Sequence, residues 1–337
     1  MQAPDFWRHD GALARLLTPL GLAYQLAGTA RRAVTTPWRA PVPVICVGNL
    51  VAGGAGKTPV VLSLLALLKA RGLKPAALTR GYGGNATGPL QVDPARHTAA
   101  KVGDEALLLA AAATTWVARD RVDGAREAID EGAEVLVMDD GFQNPSLQKN
   151  LSLLVIDTAY GLGNGRVMPA GPLRETADSG FARADAVVLI GESDIGETGK
   201  NLLVHRDRDR PLLKARLVPR DAALAASLKG RRVVAFAGIG RPQKFFDSLK
   251  ALGAEIVGWE TFADHRPYDD ATLARLRAAA RATDAQLITT AKDAARIGAA
   301  APPDLAVLDV ELVWEDKESL LRLLERLSLP SARTIAP

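Results

Sequence analysis

Along this chain, short apolar runs alternate with stretches whose apolar positions recur every three to four residues. The run through Val42, Val44, Ile45 and Val47, and those at 75–78, 115–118, 134–138, 151–157 and 184–190, suit strands buried on both faces. Helical periodicity at 60–71, 106–113 and 122–132 separates them. Strand–helix alternation of this kind predicts a parallel sheet covered by helices. A second series begins near residue 220: strands at 233–238, 255–259, 286–290 and 305–310, and helices at 242–252, 270–283, 294–299 and 317–327. Between the two series the chain turns polar. HRDRDRP at 205–211, flanked by short β-like runs at 202–204 and 212–218, reads as a hairpin-like linker. Ahead of both, residues 4–34 predict an amphipathic helix with Leu13, Leu16, Leu17, Leu20 and Tyr24 near one face. The expected division is a helix over 1–34, a larger α/β domain over 35–200, a linker over 201–219 and a smaller α/β domain over 220–337.

One stretch organises the larger domain. The first apolar run ends in Gly48-Asn49, and Val51-Ala52-Gly53-Gly54-Ala55-Gly56-Lys57-Thr58 follows before the next helix. Glycines let the backbone turn tightly with its N–H groups pointing inward, and a helix N-terminus behind them favours anions. Lys57 would reach the β- and γ-phosphates of a nucleotide, and the Thr58 hydroxyl would sit on Mg²⁺. The strict phosphate-loop pattern asks for glycine where Val51 stands, so this is a variant of it. Downstream, the apolar run at 134–138 ends in Asp139, the arrangement that aims a carboxylate at the metal held by Thr58. The fold expected is therefore P-loop NTPase-like, with a smaller α/β unit behind it.

Charge and composition narrow the partners. The chain has 337 residues and a net charge of +4. No acidic residue lies between Asp10 and Asp93, while Arg15, Arg31, Arg32, Arg39, Lys57, Lys69, Arg71, Lys74 and Arg80 do. So one-sided a segment favours anionic partners such as a nucleotide, a phosphorylated substrate or acidic lipid headgroups. Aromatic residues are not interleaved with these cations, which argues against nucleic acid. A single cysteine, Cys46, excludes a disulfide framework. Arg15, Thr18, Pro19 and Gln25 interrupt the N-terminal apolar run, so it is a poor membrane span. It reads either as a helix packed on the domain or as one lying on a bilayer surface.

Four further segments carry candidate chemistry. Arg80-Gly81-Tyr82-Gly83-Gly84 follows a strand end, where open parallel sheets bind ligands; a flexible turn is the plainer reading. Asp104 and Glu105 open a helix, either as complements to its dipole or as base and metal ligand. The Gly- and Pro-rich segment 161–175, with Arg166 and Arg174, is too long for a connector. Asp264-His265 follows a strand of the smaller domain, where His265 is either structural or turned toward the nucleotide. The guanine-reading pattern [NT]-K-x-D is absent, which disfavours a GTPase switch.

GNLVAGGAGKTP, TRGYGG, VGDEA, DDGFQN, PAGPLRE, AGIGRPQKFF, FADHRPY and ITTAKDA occur in that order. Together they resemble the tetraacyldisaccharide 4'-kinase family of lipid A biosynthesis in Gram-negative bacteria. The sequence departs from the family pattern at Asn144, Arg241 and Ala291. The resemblance implies transfer of the γ-phosphate of ATP, with Mg²⁺, to the 4'-hydroxyl of a tetraacyldisaccharide 1-phosphate at the cytoplasmic face of the inner membrane. It implies Asp104 as base, His265 as its partner and Lys57 on the transferred phosphoryl group. Thr58, Glu105 and Asp139 would hold the metal. Arg80, Arg119, Arg121, Asp140 and Arg174 would contact substrate or nucleotide. A phosphate-loop kinase or ligase acting on a soluble small molecule is the alternative.

Overall fold

The computed structural model describes residues 4–191 and 210–329. Eight strands precede the crossing to the smaller unit: β1 (Val44–Gly48), β2 (Pro75–Thr79), β3 (Leu90–Gln91), β4 (Thr115–Val117), β5 (Val135–Asp139), β6 (Leu151–Asp157), β7 (Ala186–Ile190) and β8 (Leu212–Pro219). The smaller unit holds β9 (Arg232–Ala237), β10 (Glu255–Thr261), β11 (Gln286–Thr290) and β12 (Ala306–Leu308), and β13 (Val310–Trp314) follows. The larger sheet has nine strands in the order β13-β8-β7-β6-β1-β5-β2-β4-β3, and the smaller has four, β10-β9-β11-β12. Among the described strands, only the pairs β8–β13 and β3–β4 run antiparallel. β1 is central, and chain order diverges to either side of it. A crevice opens at the carboxyl ends of the strands at such a point.

The buried strands show why the apolar runs were continuous. β1, β2, β5, β6 and β7 are buried at every residue, because helices cover both faces of the sheet. One face packs Leu136, Met138, Leu154 and Phe181; the other packs Ile45, Val47, Leu64, Leu65 and Val137.

The expected division of the chain needs correction. The run at 202–204 and most of HRDRDRP lie outside the described residues. Residues 212–219, read as part of a linker, form β8, which pairs in parallel with β7. The run at 305–310, read as one strand, is two: β12 ends the small sheet, and β13 joins the large one beside β8. The helix Lys317–Glu325 then buries Leu320, Leu323 and Leu324 in the core of the larger unit. The smaller unit is therefore an insertion, entered after Pro219 and left at Asp309. Arg220 and Asp309 clasp the two crossings at 3.1 Å.

The N-terminal segment forms a short 3-10 turn, Asp5–Arg8, and the helix Ala12–Val34. It packs through its small residues, Ala14 and Gly21. A side chain at Gly21 would lie 2.7 Å from the carbonyl oxygen of Val167. Arg166 holds Asp10 at 2.8 Å and donates to Thr18 Oγ1 at 2.6 Å, while Arg32 reaches the buried Glu175 at 3.6 Å. The leucines face outward: Leu16 is 75% exposed and Leu20 59%. Among the described residues, no helix is long and apolar enough to cross a membrane.

Candidate active site

The phosphate loop lies between β1 and the helix Lys57–Ala70, with Gly53 at φ 117° and Gly56 at φ 82°. Both values lie in the left-handed region that side-chain-bearing residues avoid. Lys57 is buried and donates from Nζ to Asn49 Oδ1 at 3.2 Å; it also sits 3.6 Å from Asp140 Oδ1. Asn49, fully buried, donates in turn to the carbonyl of Val51 at 2.9 Å and so ties the loop's first turn to its lysine. In the sequence Asn49 stands out only as the end of a strand; a polar residue closing an all-apolar run is the available signal.

Strand register brings the next residues in. Val47 pairs with Asp139, so the last residue of β5 stands beside the loop. Asp139 is buried, and neither carboxylate oxygen has a hydrogen-bond partner. Burial, together with the Glu105 and Asp140 charges, pushes its carboxyl up to about 7 against the pull of Lys57. Asp140 follows at φ 52°, a conformation that aspartate tolerates better than most residues. Burial alone would raise the Asp140 carboxyl, but Lys57 and Arg174 hold it down at about 2. Arg174 donates to Asp140 Oδ1 at 2.7 Å. Segment 161–175 thus has two jobs, docking the N-terminal helix and delivering Arg174 to the phosphate loop.

On the other side of the loop, the glycines of TRGYGG allow close backbone packing. A side chain at Gly84 would lie 2.6 Å from the Gly103 nitrogen, and one at Gly83 would lie 2.9 Å from His265 Nδ1. The helix Asp104–Ala112 therefore starts directly against that loop. Asp104 Oδ1 accepts from the Glu105 backbone at 2.9 Å and lies 3.2 Å from His265 Nδ1. His265 sits at φ 62° with its ring edge-on to Tyr82, centroids 4.9 Å apart. Burial would raise the Asp104 carboxyl, yet the His265 hydrogen bond, Lys292 and Arg296 hold it well below the usual carboxylate range. The same hydrogen bond raises the His265 imidazole, against burial. Glu105 accepts from Thr58 Oγ1 at 3.5 Å and from Lys292. Burial raises the Glu105 carboxyl, and Lys292 with Lys57 more than offsets it.

Contacts across the cleft are polar. Besides Asp104–His265 and Glu105–Lys292, Arg296 pairs with Asp104 at 2.8 Å. Arg241 donates from Nε to the Gly54 carbonyl at 3.0 Å and pairs with Asp157 at 3.0 Å; Lys244 meets Asp157 at 2.6 Å. Arg241, Lys244 and Lys292 sit in the AGIGRPQKFF and ITTAKDA segments, where the motifs alone assign them no role, and Arg296 lies just beyond the second of these. The cleft, about 2140 Å³, is lined by the phosphate loop, Arg80, Arg119, Arg121, Arg174, His265 and Arg241. Among the described residues no ion pair engages Arg80 or Arg119, both exposed at the cleft. Arg121 differs from them. It is buried and donates to the Ala118 carbonyl, and burial pushes its guanidinium down to about 10, opposed by Asp139 and Asp140.

A family model described as tetraacyldisaccharide-1-P 4'-kinase matches residues 13–328. The tetraacyldisaccharide 4'-kinase of Rhodospirillum centenum is 56% identical over 329 residues, covering 96% of this chain and 96% of that protein. That of Paramagnetospirillum magneticum is 54% identical over 329 residues, covering 98% and 99%. Among solved structures, LpxK from Aquifex aeolicus, an "apo" form in complex with ATP, superposes with a TM-score of 0.72 at 28% identity. That match covers 93% of this chain and 99% of that one.

Proposed function

Because the chain belongs to the tetraacyldisaccharide-1-P 4'-kinase family, it is an ATP-dependent kinase of lipid A biosynthesis, and we propose how its residues carry out the transfer. ATP lies with its phosphates on the loop Val51–Thr58. The 4'-hydroxyl of a tetraacyldisaccharide 1-phosphate approaches from the Asp104–His265 side. The bond from that oxygen to the γ-phosphorus forms while the bond to the β,γ-bridging oxygen breaks. ADP leaves, and the hydroxyl proton passes to Asp104. The observation that carries this reading is the Asp104–His265 pair, 3.2 Å apart, joining the two units beside the buried Lys57.

A carboxylate held so far below its usual range is a weak base. Phosphoryl transfer tolerates that, since its loose transition state needs the nucleophile oriented more than it needs it deprotonated early. His265 keeps Asp104 ionised and aimed. Lys57 and the loop N–H groups stabilise charge on the phosphoryl group as it moves. Arg80 and Arg119, exposed at the cleft, are suited to the lipid's 1-phosphate. Arg174, already held by Asp140, is suited to the nucleotide.

The residues present fit a magnesium ion. Asp139 offers two buried, unpartnered oxygens, and Glu105 and Thr58 offer two further oxygen donors beside the loop. Among the described residues no group of three or more His, Cys, Asp or Glu side chains forms a cage. Magnesium does not require one, since it is commonly held by one or two carboxylates plus substrate phosphates. When bound, the ion would neutralise charge on the β- and γ-phosphates. The outward-facing leucines of the helix Ala12–Val34 support docking at the cytoplasmic face of the inner membrane, where a lipid acceptor resides.

The test is incubation of the purified chain with labelled ATP, Mg²⁺ and a lipid disaccharide 1-phosphate in detergent. A bis-phosphorylated lipid is expected. Label that stays in ATP and inorganic phosphate, or that moves only to a soluble acceptor, overturns the reading.

A further inference from the structure

We propose that Arg296 is a positioning residue that fixes the orientation of the Asp104 carboxylate from the opposite side of the cleft. The inference rests on the reading of Asp104 as proton acceptor. Arg296 lies on the helix Ala291–Ile297 of the smaller unit, and its side chain is 4% exposed. Its Nη2 donates to Asp104 Oδ2 at 2.8 Å. Its Nη1 lies 3.3 Å from Asp293 Oδ1 and donates to the Arg266 carbonyl at 3.3 Å.

Asp293, fully buried, is itself held fast. It accepts from the Gly238 nitrogen at 2.9 Å, from the Tyr268 hydroxyl at 2.7 Å and from Thr290 Oγ1 at 2.6 Å. The Tyr268 ring faces the guanidinium at 5.9 Å. An arginine is placed in the interior only when paired, because an unpaired buried charge is costly. Asp293 alone would satisfy that requirement within the smaller unit. Yet the guanidinium leaves its Nε without a partner and spends Nη2 on a residue of the other unit. That choice points to a task at Asp104.

The task is torsional. A carboxylate turns freely about its last bond unless both oxygens are held. Oδ1 of Asp104 is held by the Glu105 backbone and His265, both near the same edge of the group. Arg296 is the donor on Oδ2. His265 sits on a loop and is only partly buried, so it cannot fix the plane alone. Lys292 adds positive charge nearby through Glu105 but makes no hydrogen bond to Asp104. A guanidinium offers its N–H donors in a fixed planar fork, so its role here is geometric rather than that of a proton donor.

The experiment uses the full chain with Mg·ATP and the lipid disaccharide 1-phosphate. Arg296→Met and Arg296→Lys are made alone and in an Asp104→Asn background. Misplacing a reacting group by about 1 Å costs about 10²-fold in rate, so Arg296→Met should lower kcat by about that factor with KM for ATP unchanged. Arg296→Lys should recover part of the loss. In the Asp104→Asn background, Arg296→Met should change turnover by less than about twofold, because residues acting as one unit are not additive. If the two losses multiply, or if Arg296→Met alone leaves kcat intact, the positioning role is refuted. If Asp104→Asn itself turns over normally, the proton-acceptor reading falls instead. Thermal unfolding checks each variant. Should Arg296→Met fail to fold, Arg296→Lys, which keeps the charge beside Asp293, is carried through the same cycle and judged by the same outcomes.

Discussion

Asp139 offers a test that needs no lipid. Its carboxylate is buried with both oxygens unpartnered, and its pKa is raised from 3.8 to about 7. An acid raised in the folded state holds a proton there that the unfolded chain has already lost. Stability therefore falls as pH rises from about 4 to about 7 and stays reduced above that. A shift of about three units corresponds to roughly 4 kcal/mol at about 1.4 kcal/mol per unit. Relaxation and water penetration reduce such penalties, so about 2–4 kcal/mol is the range to expect. Asp139→Asn removes the charge and keeps the shape. Its amide is as poorly partnered as a protonated carboxyl, so the charge alone separates the two proteins.

The assay is thermal unfolding of both proteins between pH 4.5 and 8.5 in the absence of metal. Near the acid end their curves should lie closest. By pH 8 the Asn variant should be the more stable, by several degrees. Adding Mg²⁺ and a non-hydrolysable ATP analogue should then stabilise the wild type by mass action and the variant much less, reversing the order. Parallel pH profiles would refute the reasoning, because they would mean that Asp139 is already hydrated or partnered in the free protein.

Lys57→Ala should lower phosphoryl transfer by at least about 10²–10³-fold, with folding intact because Asp140 keeps Arg174 at 2.7 Å; near-normal turnover would remove Lys57 from the site. Asp104→Ala and His265→Ala should each lower kcat strongly with little change in KM for ATP, and the double variant should be hardly worse than the poorer single one. Losses that multiply would leave Asp104 working without His265. Replacing Leu16 and Leu20 by serine should weaken co-sedimentation with anionic liposomes by roughly tenfold per leucine, each being worth about 1.5–3 kcal/mol on leaving water, while ATP affinity is retained. Equal pelleting would make the helix structural only.

How much of this was legible in the sequence depended on the range of the forces involved. β1, its glycine loop and the following helix were visible because local rules dictate them: an apolar run, residues tolerant of positive φ, and a helix start. β8 was hidden for the opposite reason. Leu212–Pro219 lies near the sheet's edge, buries only Leu213 and Ala215, and so gives a weak alternating signal that resembles a hairpin arm. Nothing local tells a strand which of two sheets it will join. Asp309, the one residue between β12 and β13, marks a change of sheet inside what reads as a single apolar run. The N-terminal helix shows a related gap. Its leucine face was plain, but which face meets the protein is decided by the Val167 carbonyl, which only Gly21 can approach.

The same division runs through the site. Lys57, Thr58, Asp104 and Asp139 could be singled out because each sits at a strand end or helix start, and His265 because it lies in the loop after a strand, the places where scaffolds carry function. The residues that hold them could not. Arg296 is one more arginine on a helix, three positions after Asp293, and an ordinary i,i+3 ion pair accounts for it locally. Its other partner, Asp104, lies 192 positions earlier on the other unit. Lys292 and Glu105, 187 positions apart, are a second such case. Both pairs depend on how two sheets face each other, a relation set by the two crossings beside Arg220 and Asp309 rather than by any local pattern. Reacting groups are recognisable one at a time, while the groups that aim them are recognisable only in pairs across the fold. That is why a charged residue buried in one unit and bonded into the other is the productive place to look for function that the motifs do not announce.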